Sequence, residues 1–161
     1  MKPVNLFTVT TETDADDPSG YRAGAVRLAP LLGAARIGGS VYDLPPGESV
    51  CPYHFEFGSE EWLLVLQGRP SLRRADGDRE LEETLEPGDT VCFPPGPAGA
   101  HKVTNTGGRP VRILMLSTMP DVDVSYYPDS EKFGIWPGGG VDGFLVRRAS
   151  EVGYYDGERP S

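Results

Sequence analysis

The chain has 161 residues, enough for one domain and too few for two ordinary ones. Fifteen Lys and Arg against 24 Asp and Glu give a net charge of −9, which argues against nucleic acid, anionic membrane surfaces and strongly anionic partners. No apolar run approaches membrane length and the first residues lack a long apolar stretch, so a cytoplasmic protein with no membrane partner is expected.

Gly and Pro together make 37 residues, and apart from residues 4–17 no stretch free of both exceeds nine. Both residues are costly inside helices, so long helices are nearly excluded and short strands between turns are favoured. Residues 1–20 read as an N-terminal arm closed by the acidic, turn-forming run Asp14-Ala15-Asp16-Asp17-Pro18-Ser19-Gly20. Strands are predicted at 35–44, 61–67, 71–75, 79–85, 90–93, 101–105 and 111–117, each ending near Gly or Pro. Asp76-Gly77 between the third and fourth marks a hairpin. The body of the domain is placed at 21–118. Residues 119–161, rich in aromatics, form a C-terminal extension expected to pack on the body or on a partner subunit. The run Trp62-Leu63-Leu64-Val65-Leu66 is apolar on both faces, so its outer face should be covered, by this extension or by a second subunit. The two cysteines, Cys51 and Cys92, read as free thiols and small core residues.

Leu44-Pro45-Pro46-Gly47-Glu48-Ser49-Val50-Cys51 is echoed 41 residues later by Leu85-Glu86-Pro87-Gly88-Asp89-Thr90-Val91-Cys92. Each copy reads as a Pro-Gly turn, and each is followed by one of the chain's two histidines. In the first segment His54 and Glu56, two apart, share a strand face, and Gly58-Ser59 then lets Glu60 or Glu61 fold back toward them. His101 comes from the second segment. His54, Glu56, Glu61 and His101 are therefore the candidate metal ligands, with Glu60 the weaker rival to Glu61. Ser-His-Asp chemistry, phosphate loops and CxxC pairs find no support in the sequence.

These segments resemble the two motifs of the cupin superfamily. Gly47, His54, Glu61 and Gly68 match the first motif; Gly88, Pro94, Gly96, His101 and Asn105 match the second. There are three departures: one extra residue before His54, two before His101, and Glu56 in place of the family's second histidine. The resemblance implies an all-β fold, a double-stranded β-helix (jelly-roll) cupin barrel of six to eight strands with the arm and extension attached. It also implies a divalent metal ion on His54, Glu56, Glu61 and His101. Two imidazoles and two carboxylates would neutralise such an ion and favour Fe or Mn, with Ni or Zn admissible. Asn105 reads as a turn residue. The implied function is a metal-dependent enzyme, oxygenase (a dioxygenase) or isomerase, acting on a small oxygen-rich or carbonyl metabolite; the alternative is a non-catalytic sugar or metabolite binder. A homodimer and a small-molecule ligand are the implied partners. Tyr42, Tyr53 and Glu60 are the weak candidates for an acid or base. A narrower resemblance, of His54, Glu56 and His101 to the facial triad of 2-oxoglutarate-dependent iron oxygenases, would give Arg109 or Arg112 to a cosubstrate carboxylate. Residues 126–132 could reach over the barrel mouth, but an ordinary surface crossing is the favoured expectation.

Overall fold

The structure, a computed structural model, describes residues 2–159. The described strands are β1 (Gly24–Arg27), β2 (Ile37–Leu44), β3 (Phe55–Glu56), β4 (Glu61–Gln67), β5 (Ser71–Asp76), β6 (Arg79–Thr84), β7 (Thr90–Phe93), β8 (His101–Thr104), β9 (Val111–Thr118), β10 (Asp123–Tyr127), β11 (Lys132–Trp136) and β12 (Phe144–Arg147). The one α-helix among the described residues, α1 (Leu28–Leu32), is a single short turn, as the Gly and Pro spacing requires. Among the described residues, no helix is long and apolar enough to cross a membrane.

All pairing is antiparallel. One sheet runs β1-β2-β9-β4-β7, and a second runs β6-β5-β8. Their inner faces share one core. Leu44, Leu63, Val65, Ile113 and Met115 of the first sheet meet Leu72 and Val103 of the second, closed by Leu85 and Phe93. This is the face-to-face packing of a jelly roll. The third sheet, β12-β11-β10-β3, continues the second layer through a bridge between His54 and His101.

The repeated sequence is a repeated turn. Glu48 N–H donates to the Pro45 carbonyl at 3.1 Å, and Asp89 N–H to the Glu86 carbonyl at 3.0 Å. Each turn has Pro second and Gly third, and the glycines take φ of +87° and +96°, the type II pattern that glycine alone adopts cheaply. Both leading leucines are buried in the shared core. The second copy feeds β7; the first feeds only a bridge from Ser49 to Thr104.

The cover over the large sheet differs from expectation. Leu64 and Leu66 pack with Leu28, Val41 and Leu114 beneath Val4, Leu6 and Val9 of the arm. The N-terminal arm and α1, and not the C-terminal extension, thus cover this part of that face. Arg112 fastens the arm. Its guanidinium pairs with Asp43 at 2.7 and 2.6 Å and donates to the carbonyls of Leu6 (3.3 Å) and Val9 (3.0 Å). The extension adds strands instead: β10 pairs with β3 as Ser125↔Glu56 and Tyr126↔Phe55. Alternation in Asp121-Val122-Asp123-Val124-Ser125-Tyr126 marks a strand there, but not which strand it pairs with.

Candidate metal centre

His54 and His101 face each other across the bridge. Each backbone N–H donates to the other's carbonyl, at 3.1 and 2.9 Å. Directly opposed residues place their side chains on one face, and the ring centroids are 4.9 Å apart. Glu61 opens β4 between Ser117 of β9 and Phe93 of β7. One ligand atom from each of His54, Glu61 and His101 lies within 4.8 Å of the other two. Glu56 is outside that cluster, and Glu60 is turned elsewhere, its carboxylate accepting the Trp62 indole N–H at 2.9 Å.

Both imidazoles are oriented by the backbone. His54 Nδ1 lies 3.0 Å from the Pro52 carbonyl, and His101 Nδ1 lies 2.9 Å from that of Gly99. A carbonyl can only accept, so each Nδ1 carries the proton and each Nε2 keeps its lone pair for a ligand. The two residues that lengthen the second motif explain this geometry. They belong to the 3-10 turn Pro97–Gly99, which delivers the Gly99 carbonyl to His101. A Cβ at Gly99 would collide with the Pro94 carbonyl, so the turn requires glycine there. Phe93 stacks flat on His101, with centroids 3.8 Å apart, and Tyr127 stacks on His54 at 5.6 Å.

Burial sets the electrostatics. It pushes His101 down to about 3, with His54 adding to the effect, and lowers His54 as well, so both rings are neutral at pH 7. Burial pushes Glu61 up to about 8, reinforced by Glu56 and Asp123. Glu56 is also raised by burial; its hydrogen bond with Ser59 opposes the rise, Asp123 adds to it, and the hydrogen bond with Ser125 opposes it again. Two neutral nitrogen donors thus stand beside a buried carboxyl that lacks a counter-charge, which a divalent cation would supply. The residues present fit the ion the motifs imply.

The remaining sequence candidates separate cleanly. Tyr53 is buried under the Arg73 guanidinium, 3.9 Å from its ring centroid. The Tyr42 hydroxyl is raised by burial, and the charges of Cys51 and Glu61 contribute. Asn105 is a fully buried structural residue: its side-chain N–H groups donate to the Leu44 and Arg109 carbonyls, both at 2.8 Å. Arg112 is spent on Asp43 and the arm and does not serve a cosubstrate. Cys51 and Cys92 are free thiols, but Cys92 is exposed rather than in the core, since β7 is the edge of its sheet. Cys51 Sγ is 3.5 Å from His54 Nδ1, the nitrogen already engaged by Pro52. Residues 126–132 are no plain surface crossing, because they bring Tyr127 onto His54. Sequence reasoning missed Phe93, Asp123, Ser125 and Tyr127. For Phe93 the signal was the predicted strand 90–93 beside the metal-type strand; for the others it was the alternation of residues 121–126, which marks a strand without saying what it pairs with.

Residues 40–117 match the family model described as a cupin domain. The chain is similar to a sugar phosphate isomerase of Silicibacter pomeroyi (TM-score 0.78, 20% identity, 96% of this chain and 98% of that one). It is also similar to a protein of Acidithiobacillus ferrooxidans provisionally named a sugar phosphate isomerase (TM-score 0.76, 25% identity, 91% and 90%). An 83-residue stretch is 34% identical to the bifunctional lysine-specific demethylase and histidyl-hydroxylase NO66 of Branchiostoma floridae, covering 50% of this chain and 13% of that protein. The chain therefore spans only a small part of that curated relative's length.

Proposed function

The chain carries a cupin domain, and from that premise we propose that it is a metal-dependent enzyme acting on a small oxygen-rich or carbonyl metabolite by oxidation or isomerisation. The observation that carries this reading is the convergence of His54, Glu61 and His101 within 4.8 Å, with both imidazoles oriented by backbone carbonyls. Those three residues would hold the ion, and Glu56, outside their cluster, would serve as a fourth ligand or as a contact to substrate. Bound there, a divalent ion supplies Lewis acidity toward a carbonyl or hydroxyl oxygen. The protein's own groups do the rest. Phe93 and Tyr127 fix the imidazole planes and keep water from their outer faces. Asp123 and Ser125 organise the carboxyl side of the pocket.

A homodimer is part of the proposal. Trp62, Leu116 and Ile37 form an uncovered apolar row on the large sheet, where the arm does not reach, and this supports it.

Metal content of protein purified without a chelator or a histidine tag tests the enzyme reading. Near one equivalent of Fe, Mn, Ni or Zn is expected, and less than a tenth of that in His101→Ala and in Glu61→Gln. Glu61→Gln keeps the side-chain volume if His101→Ala fails to fold. A protein that takes up none of these ions, even on anaerobic reconstitution, overturns this reading in favour of a non-catalytic binder.

A further inference from the structure

The last strand of a sheet leaves a row of backbone N–H and C=O groups without partners, and soluble proteins guard such edges. Here the sheets end in β1, β7, β6 and β12, since β3 and β8 are joined through the His54–His101 bridge. Three of these ends are guarded. β1 is bridged by the arm at Glu12↔Ala25. β6 carries Arg79, Glu80, Glu82 and Glu83. β7 borders a cavity of about 250 Å³ that it shares with the Arg74–Glu83 pair of the facing sheet. β12 has no such guard. It reads Phe-Leu-Val-Arg, and its Phe144 and Leu145 are 54% and 57% exposed. Among the described residues, the backbone bonds of the segment after β12 are local: Glu151 N–H to Arg148, Asp156 N–H to Gly153 and Glu158 N–H to Tyr155. That segment therefore does not pair with the open edge.

One hydrogen bond tells which groups of β12 are free. Arg148 N–H donates to the Glu131 carbonyl at 2.9 Å, in step with the register that pairs Lys132 with Arg147 and Ile135 with Phe144. In an antiparallel ladder, opposed residues alternate between bonded and unbonded pairs. Arg148, Val146 and Phe144 thus turn their backbone groups toward β11, and Arg147, Leu145 and Gly143 turn theirs outward.

A second copy of the same strand, laid antiparallel, matches outward groups with outward groups when a two-fold axis passes through Leu145. Leu145 then faces the partner's Leu145, Gly143 the partner's Arg147, Phe144 the partner's Val146, and Asp142 the partner's Arg148. Sliding the pairing by two residues keeps the backbone match but sets Asp142 against the partner's Val146 or the partner's Ser150. The Leu145 register alone opposes the two charges, at both ends of the pairing. Both charges are available: Arg147 donates to the Ser130 carbonyl at 3.2 Å, but Asp142 and Arg148 make no ion pair among the described residues, although Glu131 stands opposite Arg148 in the ladder.

We propose that β12 is a docking edge for a second copy of this chain, joined antiparallel about Leu145 with Asp142 of each copy on Arg148 of the other. The pairing fuses two four-stranded sheets into one. It lies on a different sheet from the row of Trp62, Leu116 and Ile37, so it is additional to the homodimer proposed there and stands or falls separately. The paired edge is short, which places the contact among weak, concentration-dependent ones.

Sedimentation equilibrium of the full chain from about 1 µM to 1 mM, in the wild type and in Trp62→Lys, reads the contact. Association should rise with concentration in both. Asp142→Arg and Arg148→Asp should each weaken it about tenfold or more, by setting like charges opposite one another twice, and the double variant should return to within about threefold of wild type. With Cys92 replaced by Ser, a short bis-maleimide should link two copies of Leu145→Cys far faster than two copies of Asp78→Cys, an exposed position in the β5–β6 turn. A Trp62→Lys protein that stays monomeric throughout overturns the proposal, and leaves the homodimer on the Trp62 row if the wild type associates. A double variant no better than the single ones overturns it as well, as does equal linking at residues 145 and 78.

Discussion

Glu61→Gln should change the stability of this protein in opposite directions with and without metal. Glu61 ionises in the unfolded chain near 4.5 and in the folded one at about 8, chiefly because its side chain is only 17% exposed. The raised folded value means that the native state holds this proton more tightly. The stability it contributes is therefore complete below pH 4.5, is lost as pH rises to about 8, and changes no further above that. At about 1.4 kcal/mol per pH unit the difference sets a ceiling of about 5 kcal/mol. Relaxation and water around a partly exposed group reduce it to roughly 2–3 kcal/mol. Glutamine keeps the volume and never ionises. The metal-free variant should thus match wild type near pH 4.5 and exceed it by roughly 2–3 kcal/mol at pH 9. His101, lowered from 6.5 to about 3, costs both proteins stability as pH falls below 6.5, and so cancels in the comparison.

Excess zinc at pH 7.5 should invert the order. Wild type gains about 2.7 kcal/mol at a hundred times Kd, and the variant, short of one donor, gains much less. Urea unfolding at pH 4.5, 7.5 and 9 with chelator, and at pH 7.5 with zinc, gives every value needed. A stability difference that does not change with pH in chelator would refute the buried-carboxyl reasoning. Equal stabilisation of both proteins by zinc would refute the ligand assignment.

Zinc uptake itself should release close to one proton at pH 7 and strengthen about tenfold per unit up to pH 8, which isothermal titration in buffers of different ionisation enthalpy measures. Asn105→Ala strands the buried carbonyl of Leu44 and should cost about 2–3 kcal/mol in chemical unfolding, with metal content unchanged. Leu63→Ala, at the centre of the shared core, should cost about 2–5 kcal/mol by the same measurement. Arg112→Ala removes the clip on the arm, so amide exchange at residues 4–12 should accelerate while β4 and β9 stay protected; equal acceleration in those strands would show that the arm is not a separate unit.

Local chemistry settled much of this protein. Gly and Pro spacing excluded long helices because both residues are costly in a helix interior. Type II turns at Gly47 and Gly88 were legible because only glycine accepts that φ at low cost. Seven strands were predicted with bounds within two residues of those observed, since alternation and turn residues act over a few positions. His54, Glu61 and His101 were legible as a set because motif spacing survives insertions that lie in turns, as Pro97–Gly99 does. Tertiary structure alone decided the rest. Which strand lies beside β3, and hence that Ser125 supports Glu56 and Tyr127 covers His54, depends on pairing between segments some 70 residues apart. The cover on Leu64 and Leu66 was equally undetermined, because burial is non-directional and any apolar segment of the chain could have supplied it. Charge at the site was decided the same way: the sequence counts carboxylates and cations, but only the folded chain shows that Arg73, Arg74 and Arg112 are each neutralised by a partner outside the metal cluster.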